Sequence, residues 1–186
     1  MKTPTHAIAG WLMARYLKLP ASGSKAIVLG ATLPDGPVIV VGIAVFALCH
    51  AKGRPDLFKP LMDAVYFGET SLREGHSFLH SPANLVLVAV GVCLMHPFYR
   101  RLSEWMACFA IGAASHALLD ILTHVEDAPL MLWPFSREFR WPGPVSHWDH
   151  RYYGDVISIA EFCLWTAGAV FVGVTAKRRF MTRRVR

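Results

Sequence analysis

Four stretches of the chain are almost unbroken apolar runs, and polar punctuation separates them. They are GPVIVVGIAVFALC (36–49), ANLVLVAVGVCLM (83–95), WMACFAIGAASHALLDILT (105–123) and VISIAEFCLWTAGAVFVGVTA (156–176). None alternates with a period of two, and Gly and Pro clusters bound them, so helices are predicted rather than strands. The last two approach the ~20 residues that a membrane-crossing helix needs, whereas the first two are shorter and also suit buried core helices. Two smaller apolar segments, 5–17 and 26–34, come first, parted by KLPASGSK (18–25). LPDGP (33–37) reads as a turn, because Pro34, Gly36 and Pro37 interrupt a continuous helix. Residues 1–35 are therefore expected to form a re-entrant or amphipathic pair. HAKGRPD (50–56) and HPFYRR (96–101) are further breaks, and the Pro- and Trp-rich segment 125–155 is expected to be a long ordered loop.

This pattern predicts an all-α fold, a multi-helix integral membrane bundle with about four main apolar helices plus shorter or re-entrant ones. Composition points the same way, since 54% hydrophobic residues and a mean hydropathy of +0.36 exceed what soluble domains usually show. With no repeats or low-complexity linkers, one domain is expected over 1–176, followed by a basic tail, 177–186. No cleavable signal peptide is expected, because His6 and Arg15 break the first apolar run and no A-x-A site follows. Cys49, Cys93, Cys108 and Cys163 lie inside apolar blocks without a C-x-x-C pair, so they read as small packing residues.

The net charge of +6 is gathered in four groups: Arg15, Lys18 and Lys25; Lys52, Arg54 and Lys59; Arg100 and Arg101; and the tail AKRRFMTRRVR (176–186). A basic run directly after an apolar span marks the cytoplasmic side and meets anionic lipid rather than nucleic acid. If all four groups face the cytoplasm, His6, Asp35, the His76–His80 region and His124 fall at the opposite, extracytoplasmic end of their helices. Arg137, Arg140 and Arg151 oppose this scheme from the outer loop.

Within the third block, ASHALLDILTH (114–124) carries His116, Asp120 and His124 at steps of four. Each such step advances about 40° round an α-helix, so the three share one stripe. A carboxylate costs roughly 2.5–3.5 kcal/mol at the centre of a membrane helix, and something must offset that cost. GHSFLHS adds His76 and His80 at i, i+4, and imidazole pairs with carboxylates suit Zn²⁺ and similar divalent ions. Asp35 in the LPD turn and His6 in THAIAG are further candidates. Each has a simpler reading as an N-cap, a turn residue or a helix start. HWDH (147–150) offers His147, Asp149 and His150 as additional ligands or a general acid, or as an exposed loop cluster. Trp133, Phe135, Trp141 and Trp148 in the same loop suit a seat at headgroup level or simple loop packing.

THAIAG, GATLPD, GHSFLHS and SHALLDILTH…PLMLWPFS resemble, in order, the motifs of the YdjM-like family of bacterial inner-membrane proteins, described as metal-dependent hydrolases. The similarity covers roughly residues 1–140, and GPV follows LPD where the family usually continues with acidic residues. Ser77-Phe78 likewise replaces a usual Arg-Gly. A more distant likeness is to zinc-dependent phospholipase C and the related single-strand nucleases. Together the resemblances imply a multi-pass inner-membrane location and a ligand set of His6, Asp35, His76 or His80, His116 and Asp120, with Asp120 bridging ions.

With His124 from the helical stripe, the candidate metal ligands are His6, Asp35, His76, His80, His116, Asp120 and His124, holding one to three divalent ions, zinc foremost. The expected function is a membrane-bound metal-dependent hydrolase acting on a phosphoester of a lipid or lipid-linked substrate through metal-activated water. The alternative is a non-catalytic, metal-stabilised membrane interaction or regulatory protein. A LexA-type protein contact is implied by the family resemblance alone. A transporter is a third possibility, because intramembrane ionisable residues are its hallmark, but the ligands gather at one end rather than lining a path.

Overall fold

The computed structural model describes residues 1–68 and 70–184; side chains of the expected basic tail beyond residue 177 lie outside the described residues. The helices follow in the order α1 (Thr3–Tyr16), α2 (Ala21–Thr32), α3 (Gly36–Ala51), α4 (Phe58–Gly68), α5 (Thr70–His80), α6 (Pro82–Met95), α7 (Arg100–Thr123) and α8 (Gly154–Arg184). No strand forms among the described residues, and the long loop before α8 carries a single antiparallel bridge, Leu130 to Arg140. The all-α architecture is the one predicted. Helix α4 was not anticipated, because Lys59, Pro60 and Asp63 interrupt its apolar residues and hide it from a hydropathy reading.

Among the described residues, three helical passages are long and apolar enough to cross a membrane: Ala21–Ala51, Arg100–Thr123 and Gly154–Thr175. A fourth arises if α5 and α6 form one broken span, Glu74–His80 with Pro82–Met95, bent by 61°. The first passage corrects two expectations. Pro34 sits in the opening positions of a 3₁₀ turn, Leu33–Asp35, and Pro37 in those of α3. A proline ring is tolerated there because the missing N–H is not needed by the preceding helix. So the LPDGP segment does not end the helix; it joins α2 to α3. Residues 1–35 therefore form no separate pair. Helix α1 folds back onto α2 through residues 17–20, with Lys18 in the left-handed region at φ 52°, and α2 continues into the span. As a result Asp35 lies near the middle of that passage, with Lys25 towards one end and Lys52 and Arg54 beyond the other. The four basic groups do not all stand on one side of it.

The break between α5 and α6 is built by Ser81. Its side chain accepts the Asn84 N–H at the start of α6 and donates to the carbonyls of Met131 (3.1 Å) and Trp133 (2.8 Å) in the long loop. The Asn84 amide donates back to the Phe78 carbonyl of α5, so the bend is hydrogen-bonded on both sides. Backbone groups freed at a broken span need such partners, since lipid supplies none.

The interior is packed with small residues. Ala14, Ala26, Ala31, Ala113 and Ala117 are buried with Ile27, while Val40, Ile43, Val86, Leu94, Phe162, Val170 and Val172 are exposed at the periphery. An apolar exterior is the expected partner of lipid tails, and small residues let membrane helices approach closely. Cys49 is buried as expected, but Cys93 and Cys163 lie on the exposed apolar face. The closest approach is between α2 and α7. A Cβ added at Gly30 would stand 2.0 Å from the Phe109 carbonyl oxygen, and one at Gly112 2.1 Å from that of Ile27. Backbone cannot yield as a side chain can. Gly30→Ala and Gly112→Ala are each expected to cost about 1–3 kcal/mol through overpacking, seen as a lower midpoint for thermal unfolding in detergent. Gly91→Ala and Gly173→Ala, where nothing lies within 4 Å, are expected to shift it little. Equal effects at all four positions would show that the α2–α7 contact does not govern stability.

Candidate metal centre

Four side chains from three parts of the fold converge. Asp35 comes from the 3₁₀ turn inside the first passage, His80 from the last residue of α5, and His116 and Asp120 from successive turns of α7. His80 and His116 are fully buried and Asp120 is 2% exposed. His116 Nδ1 is 2.8 Å from the Ala31 carbonyl oxygen, and His80 Nδ1 is 2.6 Å from that of His76. A carbonyl only accepts, so each Nδ1 carries the proton and donates it. In the neutral form of each ring Nε2 then carries the lone pair, and those two atoms face each other at 2.9 Å.

Around them Asp120 Oδ2 lies 3.1 Å from His116 Nε2 and 3.3 Å from His80 Nε2, and Asp35 Oδ1 lies 3.4 and 3.8 Å from the same atoms. Lone pairs and carboxylates pointed at one another repel unless a cation lies between them. For metal–ligand bonds of ~2.0–2.1 Å, a tetrahedral set places its donors about 3.3 Å apart, the spacing found here. Metal-binding histidines commonly donate their second N–H to a carbonyl, as both do here. The donor set fits a divalent ion.

The other expected ligands surround this group without joining it. His6 stacks on His116 with ring centroids 3.6 Å apart, and its Nε2 is 3.0 Å from Asp120 Oδ1. Its Nδ1 is buried without a partner. His76 stacks on His80 at 3.7 Å and meets Tyr66 edge-on, so of the H-x-x-x-H pair only His80 enters the group. Helix α7 stops at Thr123, and His124 adopts an extended backbone, φ −124° and ψ 127°. It leaves the stripe expected of an unbroken helix. Its Nδ1 is 3.0 Å from the Asp120 carbonyl oxygen, and its ring lies 4.5 Å from that of His147.

His124, His147 and Asp127 line a cavity of about 790 Å³ together with Asp35, Asp120 and His76 and with the apolar Val38, Ile39, Met62 and Trp165. Burial pushes His124 down to about 3 and His147 down to about 4, and raises the Asp127 carboxyl above its ordinary value. Of HWDH, His147 faces this cavity, Asp149 accepts from Arg151 and caps the short turn at 150–152, and His150 is exposed. Phe135, Trp141 and Trp148 are exposed on the loop, while Trp133 is half-buried against Phe78.

Three contributors escaped the sequence reading. Thr3 donates to Asp35 Oδ2, Asp127 faces His124, and Glu161 of α8 is buried on Lys2 and Thr5. Glu161 was legible by the same logic as Asp120, a lone carboxylate in an apolar block, but no histidine marked its face. His80→Ala and Asp120→Ala are expected to abolish stoichiometric zinc binding, measured as metal content after purification and by chelator competition. His76→Phe, which keeps the ring stack and the backbone carbonyl, is expected to retain it. Equal losses in all three would show that the donor group is not the binding site.

No curated protein and no solved structure shows a significant match to this chain. A family described as YdjM inner membrane protein matches residues 1–182, beyond the roughly 1–140 over which the motifs were recognised. That match takes in every helix bearing a donor, and the apolar passages agree with a membrane location. The chain belongs to the YdjM inner membrane protein family.

Proposed function

We propose that the chain is a membrane-bound, metal-dependent hydrolase that cleaves a phosphoester of a lipid or lipid-linked substrate, with zinc as the metal. The reading is supported by one conjunction: a buried donor group fit for a divalent ion opens onto a cavity with polar and apolar walls. Such a cavity suits a substrate with an anionic head and an apolar body. A mixed imidazole and carboxylate set favours zinc among the common divalent ions. When bound, a divalent ion lowers the pKa of water and stabilises a developing oxyanion. The chain's own residues do the rest. Asp35, His80, His116 and Asp120 hold the ion, and Val38, Ile39, Met62 and Trp165 receive the apolar portion. His124 and His147, kept neutral by burial, present uncharged imidazoles to the cavity as hydrogen-bonding groups.

Sidedness belongs to the same reading. Arg100 and Arg101 open α7 and Lys177 lies late in α8, far along each helix from the donors. By the positive-inside rule these ends are cytoplasmic and the donor group lies in the extracytoplasmic half.

One observation favours the non-catalytic alternative: four protein donors are the number that closes a structural zinc site, whereas catalytic sites keep a position open. The two readings separate on turnover. Purified protein in liposomes is expected to release phosphate from phosphorylated lipids, to lose that activity to chelator, and to regain it with Zn²⁺. Asp120→Ala is expected to lower turnover at least about 10³-fold, since a bound ion contributes several kcal/mol at the transition state. Stoichiometric zinc with no turnover on phosphodiesters or phosphomonoesters would establish the structural reading instead.

A further inference from the structure

Helix α8 lies largely against lipid, yet it carries a carboxylate, Glu161, that is 2% exposed. Its Oε1 accepts the Lys2 backbone N–H at 2.9 Å and the Thr5 hydroxyl at 2.8 Å. Its Oε2 pairs with Lys2 Nζ at 3.1 Å, and that ammonium also donates to Ser158 at 2.9 Å. The Trp165 indole N–H, one turn further along α8, donates to the Thr5 hydroxyl at 2.9 Å. So the segment 2–5 is held on α8 at its backbone and at two side chains.

That segment and the residues on either side of it, Met1 and His6, in turn contact both carboxylates of the donor group. Thr3 donates to Asp35 Oδ2, while Oδ1 of the same group faces the histidines. The Met1 ammonium at 2.5 Å and His6 at 3.0 Å both hold Asp120 Oδ1, while Oδ2 faces the histidines. In each carboxylate one oxygen is tied to the N-terminal segment and the other turned inward, which fixes the rotation of both groups.

We propose that Glu161 is a positioning residue for the metal centre: through Lys2 and Thr5 it seats the N-terminal segment, which orients Asp35 and Asp120 towards the ion. The inference rests on the metal reading above and adds a residue that touches no donor. Outer partners of metal ligands commonly govern affinity by about 10–100-fold. A structural role alone would lower stability and leave the ligand field of a correctly folded protein unchanged.

The experiment is a Co²⁺ titration of the full chain in detergent or liposomes, read by affinity and by the visible ligand-field spectrum. Glu161→Ala is expected to weaken Co²⁺ binding about 10–100-fold and to alter the spectrum. Glu161→Gln, which keeps an acceptor for the Lys2 N–H and the Thr5 hydroxyl, is expected to recover much of both. Thr5→Val should shift them in the same direction by less, and it serves if Glu161→Ala fails to fold. Phe162→Ala, on the exposed face of α8, should leave them unchanged. Wild-type binding that Glu161→Ala, or Thr5→Val in its place, leaves intact in affinity and spectrum overturns this inference alone. Absence of Co²⁺ binding by the unsubstituted protein overturns the metal reading and this inference with it.

Discussion

Two imidazole lone pairs and two carboxylates point at one another in the middle of an apolar bundle, and the rest of the molecule is arranged around that convergence. Left alone it is unfavourable, because buried charges and acceptors need compensation that lipid cannot give. The Met1 ammonium on Asp120 supplies part of it, and a cation bound between the donors would supply the rest. Helix α7, which carries two of the donors, is packed closely against α2. The α2–α7 contact is backbone on backbone at Gly30 and Gly112, and the Ala31 carbonyl that follows on α2 fixes the His116 ring. The α2–α7 spacing thus bears directly on where the His116 ring stands. Beyond this group, burial keeps His124 and His147 neutral, and the positive charge at the cavity comes from the Met1 ammonium, Lys2 and Lys59.

Much of this was legible in the residues, for identifiable reasons. Apolar runs longer than any soluble strand announced helices and a membrane. The four-residue spacing of His116 and Asp120 put both on one face, and a helix covers that spacing whatever surrounds it. The fate of His124 was not legible, because where α7 ends depends on the loop that follows and not on local pattern. Nor could spacing separate His80 from His76. The two share a face, and only the bend after His80, tied down by Ser81, decides which ring reaches α7. The LPDGP segment misled because proline is a breaker in mid-helix and a neutral starter in a first turn. The sequence alone does not tell which applies.

Glu161 and Thr3 illustrate another limit. Neither sits in a recognisable motif, and each matters through a partner more than 30 positions away. Contacts of that kind carry no periodic trace. What was visible was only the anomaly, an acid among Ile159, Phe162 and Leu164, with nothing nearby in sequence to answer it. Family membership likewise identifies the membrane setting and the motif order. It leaves the chemistry to be read from the arrangement of donors and cavity, which is where the catalytic and structural interpretations part.

The Ser81 hydroxyl carries a mechanical consequence. It clasps the long loop at Met131 and Trp133 one residue after His80, and the same loop exposes Phe135 and Trp141. A force applied at the loop's aromatic rim, as by a surface pressing on it, is passed through two short links to the ring that completes the donor group. The rim and the buried ring are therefore joined through Ser81 rather than standing as separate features.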